Sequence, residues 1–250
     1  MVLFNSKDMA TTIRHFTAGY NSLTKQGLHP ALGIQCNVLN TPMGTFFAIG
    51  YMWSSPDLDA GRKYLDQICS FGQALHVGVQ EMTIPEWMDQ IATFAPKVAY
   101  GRNCTISVRE LTEEVSEVIS REVAKMPNDR STLLSIHQLA GPSEAADEKS
   151  VFGARTAHYC LEFIATASEQ ERVKEVWEWA VTFRDALRKT DKKNILTSTY
   201  ISLTPPTEAS ATAIYGENWE KLMEIKRQCD PKNVFKHALP KFPEEVFVQD

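Results

Sequence analysis

The sequence predicts an α+β domain, an antiparallel sheet of about seven strands with helices packed on one face. Three observations carry the prediction. Strand-like runs and single helical runs alternate without the regular strand–helix–strand rhythm of a parallel sheet. The runs 33–40 and 45–53 are separated only by a turn containing Pro42 and Gly44, which reads as a hairpin. The helical runs are amphipathic, with Glu and Ser on a solvated face in the one marked by Leu111, Val115 and Val123. A length of 250 residues favours one large domain over two small ones.

In chain order, Met9, Ile13, Phe16, Tyr20 and Leu23 recur at steps of four and three, predicting a first helix capped at Asn5 or Ser6. After the hairpin, Ser55, Pro56 and Asp57 predict a helix start. Ser55 is the cap, and Pro56 sits in the first turn, where its missing N–H costs nothing. That helix runs towards Phe71. A strand at 75–82, a short helix from Pro85 and a strand at 98–108 follow. The amphipathic helix through Val118 or Ile119 leads to a strand at 133–140. Turn residues and alternating charge then mark 141–150 as a loop. Residues 156–167 form a strong strand, and Val173, Trp177, Ala180, Phe183 and Leu187 define the helix after it. A last strand at 196–204 stops at Pro205 and Pro206. The tail holds one more helix, 217–229, ended by Asp230-Pro231 because proline disfavours helix at the residue before it. The expected organisation is a sheet domain over 1–204 with a segment 205–250 packed on it.

Composition narrows the function. Hydrophobic content of 43% and charged content of 23% belong to a globular chain rather than a disordered one. The net charge of −5 and the lack of a Lys/Arg stripe argue against nucleic acid or an anionic membrane as partner. The apolar run 45–53 is too short to span a bilayer, and Asn5, Ser6, Lys7 and Asp8 interrupt any signal-peptide core. Five scattered cysteines form neither a metal-type pair nor a disulfide framework, so the expectation is a cytoplasmic protein with reduced thiols. No His/Asp/Glu set has metal-ligand spacing, and no metal is expected.

The tail carries the most specific pattern. Ile214-Tyr215-Gly216-Glu217-Asn218-Trp219-Glu220-Lys221-Leu222, then Ile225-Lys226, then Asp230-Pro231-Lys232-Asn233-Val234-Phe235 resembles the C-terminal signature of berberine-bridge-enzyme-like FAD-linked oxidases. The strand around Tyr159 and Phe163 falls where that family has its aromatic-rich central strand. Tyr200 to Leu203 falls at a Tyr-x-Asn-Tyr-like run. The resemblance implies the family's substrate domain, an antiparallel sheet with helices on one face, without its flavin-binding domain. G-x-G-x-x-G and P-loop patterns are absent, so no cofactor is expected.

The departures are chemical. Cys160 stands where the family usually has an acidic residue, and Leu203 stands where it often has a catalytic-base tyrosine; leucine cannot accept a proton. Asn233 matches a family position but serves equally as a turn former. By strand alternation His158, Cys160, Glu162 and Ile164 share one face, while Tyr159, Leu161 and Phe163 face the helices. Gln35 and Asn37, Ser135 and His137, and Tyr100 and Arg102 are same-parity polar positions on other strands. One reading is a pocket with His158 or His137 as general acid/base, Glu162 orienting it, and Gln35, Asn37, Tyr100, Arg102, Cys160 and Leu203 contacting substrate. The other is the wet face that an antiparallel sheet commonly has. Cys160 is a nucleophile beside His158, or a small buried cysteine. His15, His29, His76 and His237 have no identifiable partner.

Three functions follow from the resemblance. The first is a flavin-independent enzyme of specialised metabolism, guiding a non-redox cyclisation or isomerisation of a polyketide- or terpenoid-like molecule. The second is the substrate-binding half of a split FAD-dependent oxidase, with a separate flavin domain as partner. The third is a non-catalytic small-molecule-binding protein. Loss of the family's covering domain would bare Ile164, Ile201, Leu203, Trp219 and Phe235, which predicts a homodimer.

Overall fold

The N-terminus opens with a strand that periodicity could not reveal. The computed structural model describes residues 1–94, 96–141, 144, 151, 155–205 and 210–237. Its first element, β1, is Val2–Phe4, three residues with Val2 and Phe4 fully buried. Three residues are too few to show an alternation, and the polar run that follows hides them. The helix α1, Met9–Lys25, starts two or three residues later than a cap at Ser6 or Asn5 would place it. The cap is Asp8, whose carboxylate accepts from the Thr11 backbone N–H at 3.0 Å.

The hairpin forms as expected, β2 being Leu32–Thr41 and β3 Gly44–Trp53. Its turn places Gly44 at φ 122°, a conformation that glycine tolerates and side chains resist. α2 is Leu58–Ser70, capped by Asp57 rather than Ser55, so Pro56 lies ahead of the helix and not in its first turn. Then come β4, Ala74–Val77; α3, Ile84–Phe94; β5, Tyr100–Val108; and α4, Glu113–Val123, capped by Thr112. β6 is Leu133–Leu139, β7 His158–Ala167 and α5 Val173–Leu187. The expected loop 141–150 falls almost wholly outside the described residues.

The seven strands lie in the order β4-β1-β3-β2-β6-β7-β5, and every pair is antiparallel. The predicted α+β class therefore holds. α5 packs on β7 and β5, α1 touches β3, and α4 packs against α1 and α5 on the same side. Alternate strand residues point into this core. Tyr159, Leu161 and Phe163 of β7 are all buried, with Phe163 against Trp179 and Phe183 of α5 at ring separations of 6.3 and 4.8 Å.

The strand expected at 196–204 does not form. Ile195 makes one isolated bridge to Val108, and Leu196 N–H donates to the Ser107 carbonyl; beyond that the chain curls. Residues Ile201–Leu203 make a 3-10 turn, and Thr105, Thr199 and Thr204 hydroxyls close a ring with separations of 3.2, 2.6 and 2.7 Å. Side-chain hydroxyls here take the place of a backbone ladder. In the tail, α6 is Ala211–Tyr215 and α7 Asn218–Cys229. Trp219, expected on the surface, is 8% exposed, stacked at 6.2 Å on Tyr215.

The Asp-Pro-x-Asn turn has a clear physical basis. Asp230 accepts from the N–H groups of Val234 and Phe235 at 2.8 and 3.1 Å and pairs with Lys226. Asn233 takes φ 47°, a left-handed conformation that asparagine tolerates better than most residues. The Lys226 charge, helped by those N–H groups, holds the Asp230 carboxyl below its ordinary range.

Candidate active site

The face of the sheet turned away from the helices carries its polar residues in two rows. Strand register sets them. One row runs Gly50, Gln35, His137, Cys160, Ser107 across β3, β2, β6, β7 and β5. The next runs Ala48, Asn37, Ser135, Glu162, Thr105. An apolar row, Phe46, Leu39, Leu133 and Ile164, borders them and ends at Asn103. Neighbouring strands are about 4.8 Å apart, and rows on one face about 6.8 Å. The rows thus form a narrow polar stripe beside an apolar shelf.

Hydrogen bonds knit the stripe together. Gln35 Nε2 donates to Ser135 Oγ at 2.7 Å, and Ser135 Oγ donates to Asn37 Oδ1 at 3.0 Å. Glu162 Oε2 lies 3.0 Å from His137 Nε2, and Glu162 Oε1 accepts from Asn103 Nδ2 at 2.7 Å. Ser135 is fully buried and Glu162 is 5% exposed, so these two are not residues of a wet sheet face. The His137 side chain retains 28% exposure. A shielded carboxylate holding a partly open imidazole is an arrangement suited to proton transfer.

Other expected site residues do not join this hydrogen-bonded network. His158 shares the face, across from Leu139, but it is 3% exposed and its Nδ1–H donates to the Thr156 carbonyl at 2.6 Å. It joins neither Glu162 nor His137. Cys160 is 1% exposed. Burial pushes its thiol up to about 11, with Glu162 adding to the rise against a hydrogen bond from Ser107. Burial and the raised thiol fit the small buried cysteine better than the nucleophile. Arg102 lies on the opposite face, its guanidinium 3.7 Å from the centre of the Trp177 ring of α5. Tyr100 stands beyond Gly101, whose φ of 133° breaks the regular strand, and faces Ala167 at the sheet edge. Leu203 belongs to the 3-10 turn, so strand alternation cannot aim it or Ile201 alongside Ile164.

Asn103 was missed. Directly opposite it is Ile164, an apolar neighbour, and only the diagonal across β5 and β7 brings it to Glu162. A groove of 380 Å³ between α4 and α5, lined by Arg121, Glu122 and Lys189 among others, lies on the helix side. Its Glu122 is satisfied by Arg121 and Lys125, both at 2.8 Å, and belongs to a structural ion cluster.

Comparison with known proteins agrees with this architecture. Residues 200–240 match the family described as "Berberine and berberine like". The FAD-linked oxidoreductase aurO of Gibberella zeae is 23% identical over 224 residues, covering 89% of this chain and 44% of its own length. CrmK, a flavoenzyme involved in shunt product recycling in caerulomycin biosynthesis, superposes with a TM-score of 0.74 at 16% identity over 97% of this chain and 55% of its own. The 6-hydroxy-D-nicotine oxidase of Arthrobacter nicotinovorans gives 0.75 at 13% identity over 97% and 54%. At such identities the structural likeness is one of fold. The chain resembles berberine-bridge-like FAD-linked oxidases in its tail, in its sequence and in its fold, and it spans about half the length of these relatives.

FAD, which the likeness implies, carries a pyrophosphate that needs cationic side chains or N–H groups at a helix N-terminus. The seven strands contain a single Lys or Arg, Arg102, and it is spent on Trp177 on the other face. The polar rows of this chain do not by themselves fit the dinucleotide.

Proposed function

We propose that the polar stripe binds a small polyketide- or terpenoid-like molecule and that His137, oriented by Glu162, moves a proton in a non-redox cyclisation or isomerisation. The observation that carries this reading is the buried Glu162 carboxylate bonded to a half-open His137. The apolar row beside the stripe offers a surface on which a flat or folded hydrocarbon skeleton can be held in one conformer. Gln35 and Asn37 can orient its oxygens. The replacement of the family's acidic position by a buried thiol, and of its tyrosine by Leu203, removes the groups that the resemblance would assign to oxidation. The role of CrmK in caerulomycin biosynthesis supports specialised metabolism as the setting.

A second reading is that the chain supplies the substrate sheet of an FAD-dependent oxidase completed by a separate flavin domain. The matched tail favours it. A non-catalytic binding protein would use the same stripe without the proton transfer.

Metabolite profiles of the host with and without the gene would supply the substrate as the compound that accumulates. With that compound, His137→Ala should lower kcat by about 100-fold or more, the usual contribution of a general base. Glu162→Gln should lower it about tenfold while leaving the fold intact. Full activity in both variants would place the site elsewhere.

A further inference from the structure

We infer that Asn103 is a positioning residue which, through Glu162, fixes His137 as the Nε2–H tautomer and leaves Nδ1 as the atom that takes the proton. This inference rests on the proposed use of His137 as acid/base, and it names the atom through which the ring works.

The chain of contacts is short. A side-chain amide nitrogen only donates, so the Asn103 Nδ2 contact at 2.7 Å makes Glu162 Oε1 an acceptor. That oxygen carries no proton, and the bond turns the carboxylate so that Oε2 meets His137 Nε2 at 3.0 Å. A carboxylate oxygen can only accept, so toward the carboxylate form of Glu162 a neutral imidazole presents N–H through Nε2. Among the described residues, Glu162 is the one hydrogen-bond partner of the His137 ring. Nδ1 therefore keeps its lone pair, on a side chain that is 28% exposed where Glu162 is 6%. The shielding matters in two ways. Water competes weakly for a carboxylate so buried, and the carboxylate cannot rotate away without stranding Asn103.

Removing Asn103 frees one carboxylate oxygen and lets the carboxylate turn. The preference for one tautomer should then fall, although His137 itself is untouched. A hydrogen bond to a charged acceptor is strong enough to hold a roughly tenfold or greater preference for the Nε2–H form.

Protein labelled with 15N in its histidines, held at about pH 8 where an ordinary imidazole is neutral, tests the assignment by long-range proton–nitrogen correlation. The wild type should show a protonated Nε2 and an unprotonated Nδ1 for His137. Asn103→Leu and Glu162→Gln should each move both shifts towards the average of exchanging tautomers, with backbone spectra unchanged away from the stripe. A wild-type ring protonated at Nδ1, or already averaged, overturns the inference, whether or not the variants fold. Unchanged shifts in both variants overturn it too. A locked Nε2–H ring in a protein that converts no substrate would leave the assignment standing and sink the proposed function instead.

Discussion

Cys160 and Glu162 stand two residues apart on one face of β7 and meet opposite conditions. The thiol has burial and a nearby carboxylate against its ionisation, and these push it up to about 11. The carboxyl is held from two sides, Oε1 accepting from Asn103 Nδ2 at 2.7 Å and Oε2 lying 3.0 Å from His137 Nε2. The same burial that silences one group shields the other for use. Cys36 is buried likewise and pushed up to about 12, whereas Cys229 is exposed. At neutral pH a thiol-specific chromogenic reagent should therefore titrate Cys229 rapidly. Cys36, Cys104 and Cys160 should be titrated only in denaturant. Rapid native labelling of Cys160 would restore it as a nucleophile. Alternation along β7 made the shared face of Cys160 and Glu162 legible in the sequence. The sequence offered Glu162 to either His158 or His137; which of the two it meets, and that Asn103 joins them, was not legible, because it depends on which strands become neighbours and on their register.

Asp129 shows how elements are tied together. It is 6% exposed and sits just before β6. Burial disfavours its charge, but the N–H groups of Ser131 and Ser168, the Ser168 hydroxyl and Arg172 outweigh that, and the carboxyl is held below its ordinary value. One side chain thus joins the start of β6, the end of β7 and the 3-10 turn Gln170–Arg172 that leads into α5. A carboxyl whose folded pKa is depressed contributes stability that is complete above its unfolded value of about 4 and is lost as pH falls through the folded value. Asp129→Asn should cost roughly 2–3 kcal/mol at pH 7 and flatten the acid limb of the stability curve. Urea unfolding between about pH 3 and pH 7 measures both, and a variant with wild-type slope would contradict this role. At this scale most elements were readable, since α1, α5, the hairpin and β7 carry long periodic patterns. β1 was too short to read. The 196–204 run looked like a strand because its Thr, Tyr and Ile residues suit one. The threonine hydroxyls instead found each other.

At the scale of the whole molecule, one group of exposed large apolar residues falls on β4 and α3. β4 is an edge strand with Leu75 and Val77 exposed at 56% and 46%, and α3 beside it in sequence bares Ile84, Met88 and Ile91. These helical positions fall at steps of four and three and form one exposed apolar stripe. The expected homodimer is thus better placed at β4 and α3 than on the polar stripe. We propose that a second copy covers this end. Light scattering at micromolar concentration should give twice 28.1 kDa, with Met88→Glu shifting the population to monomer; a wild-type monomer would contradict it. The α+β class and the tail were legible from the sequence because each rests on many residues at fixed spacing. The distribution of exposed surface was not, because it depends on what each helix finds to pack on. We propose that this sheet transfers a proton through His137 without oxidation. Anaerobic conversion of the accumulated metabolite by purified protein without added flavin tests it most directly. The expected product is isomeric with the substrate, formed with no flavin absorbance and lost in His137→Ala. A product lacking a pair of hydrogen atoms, formed only when FAD and an oxidant are supplied, would contradict it.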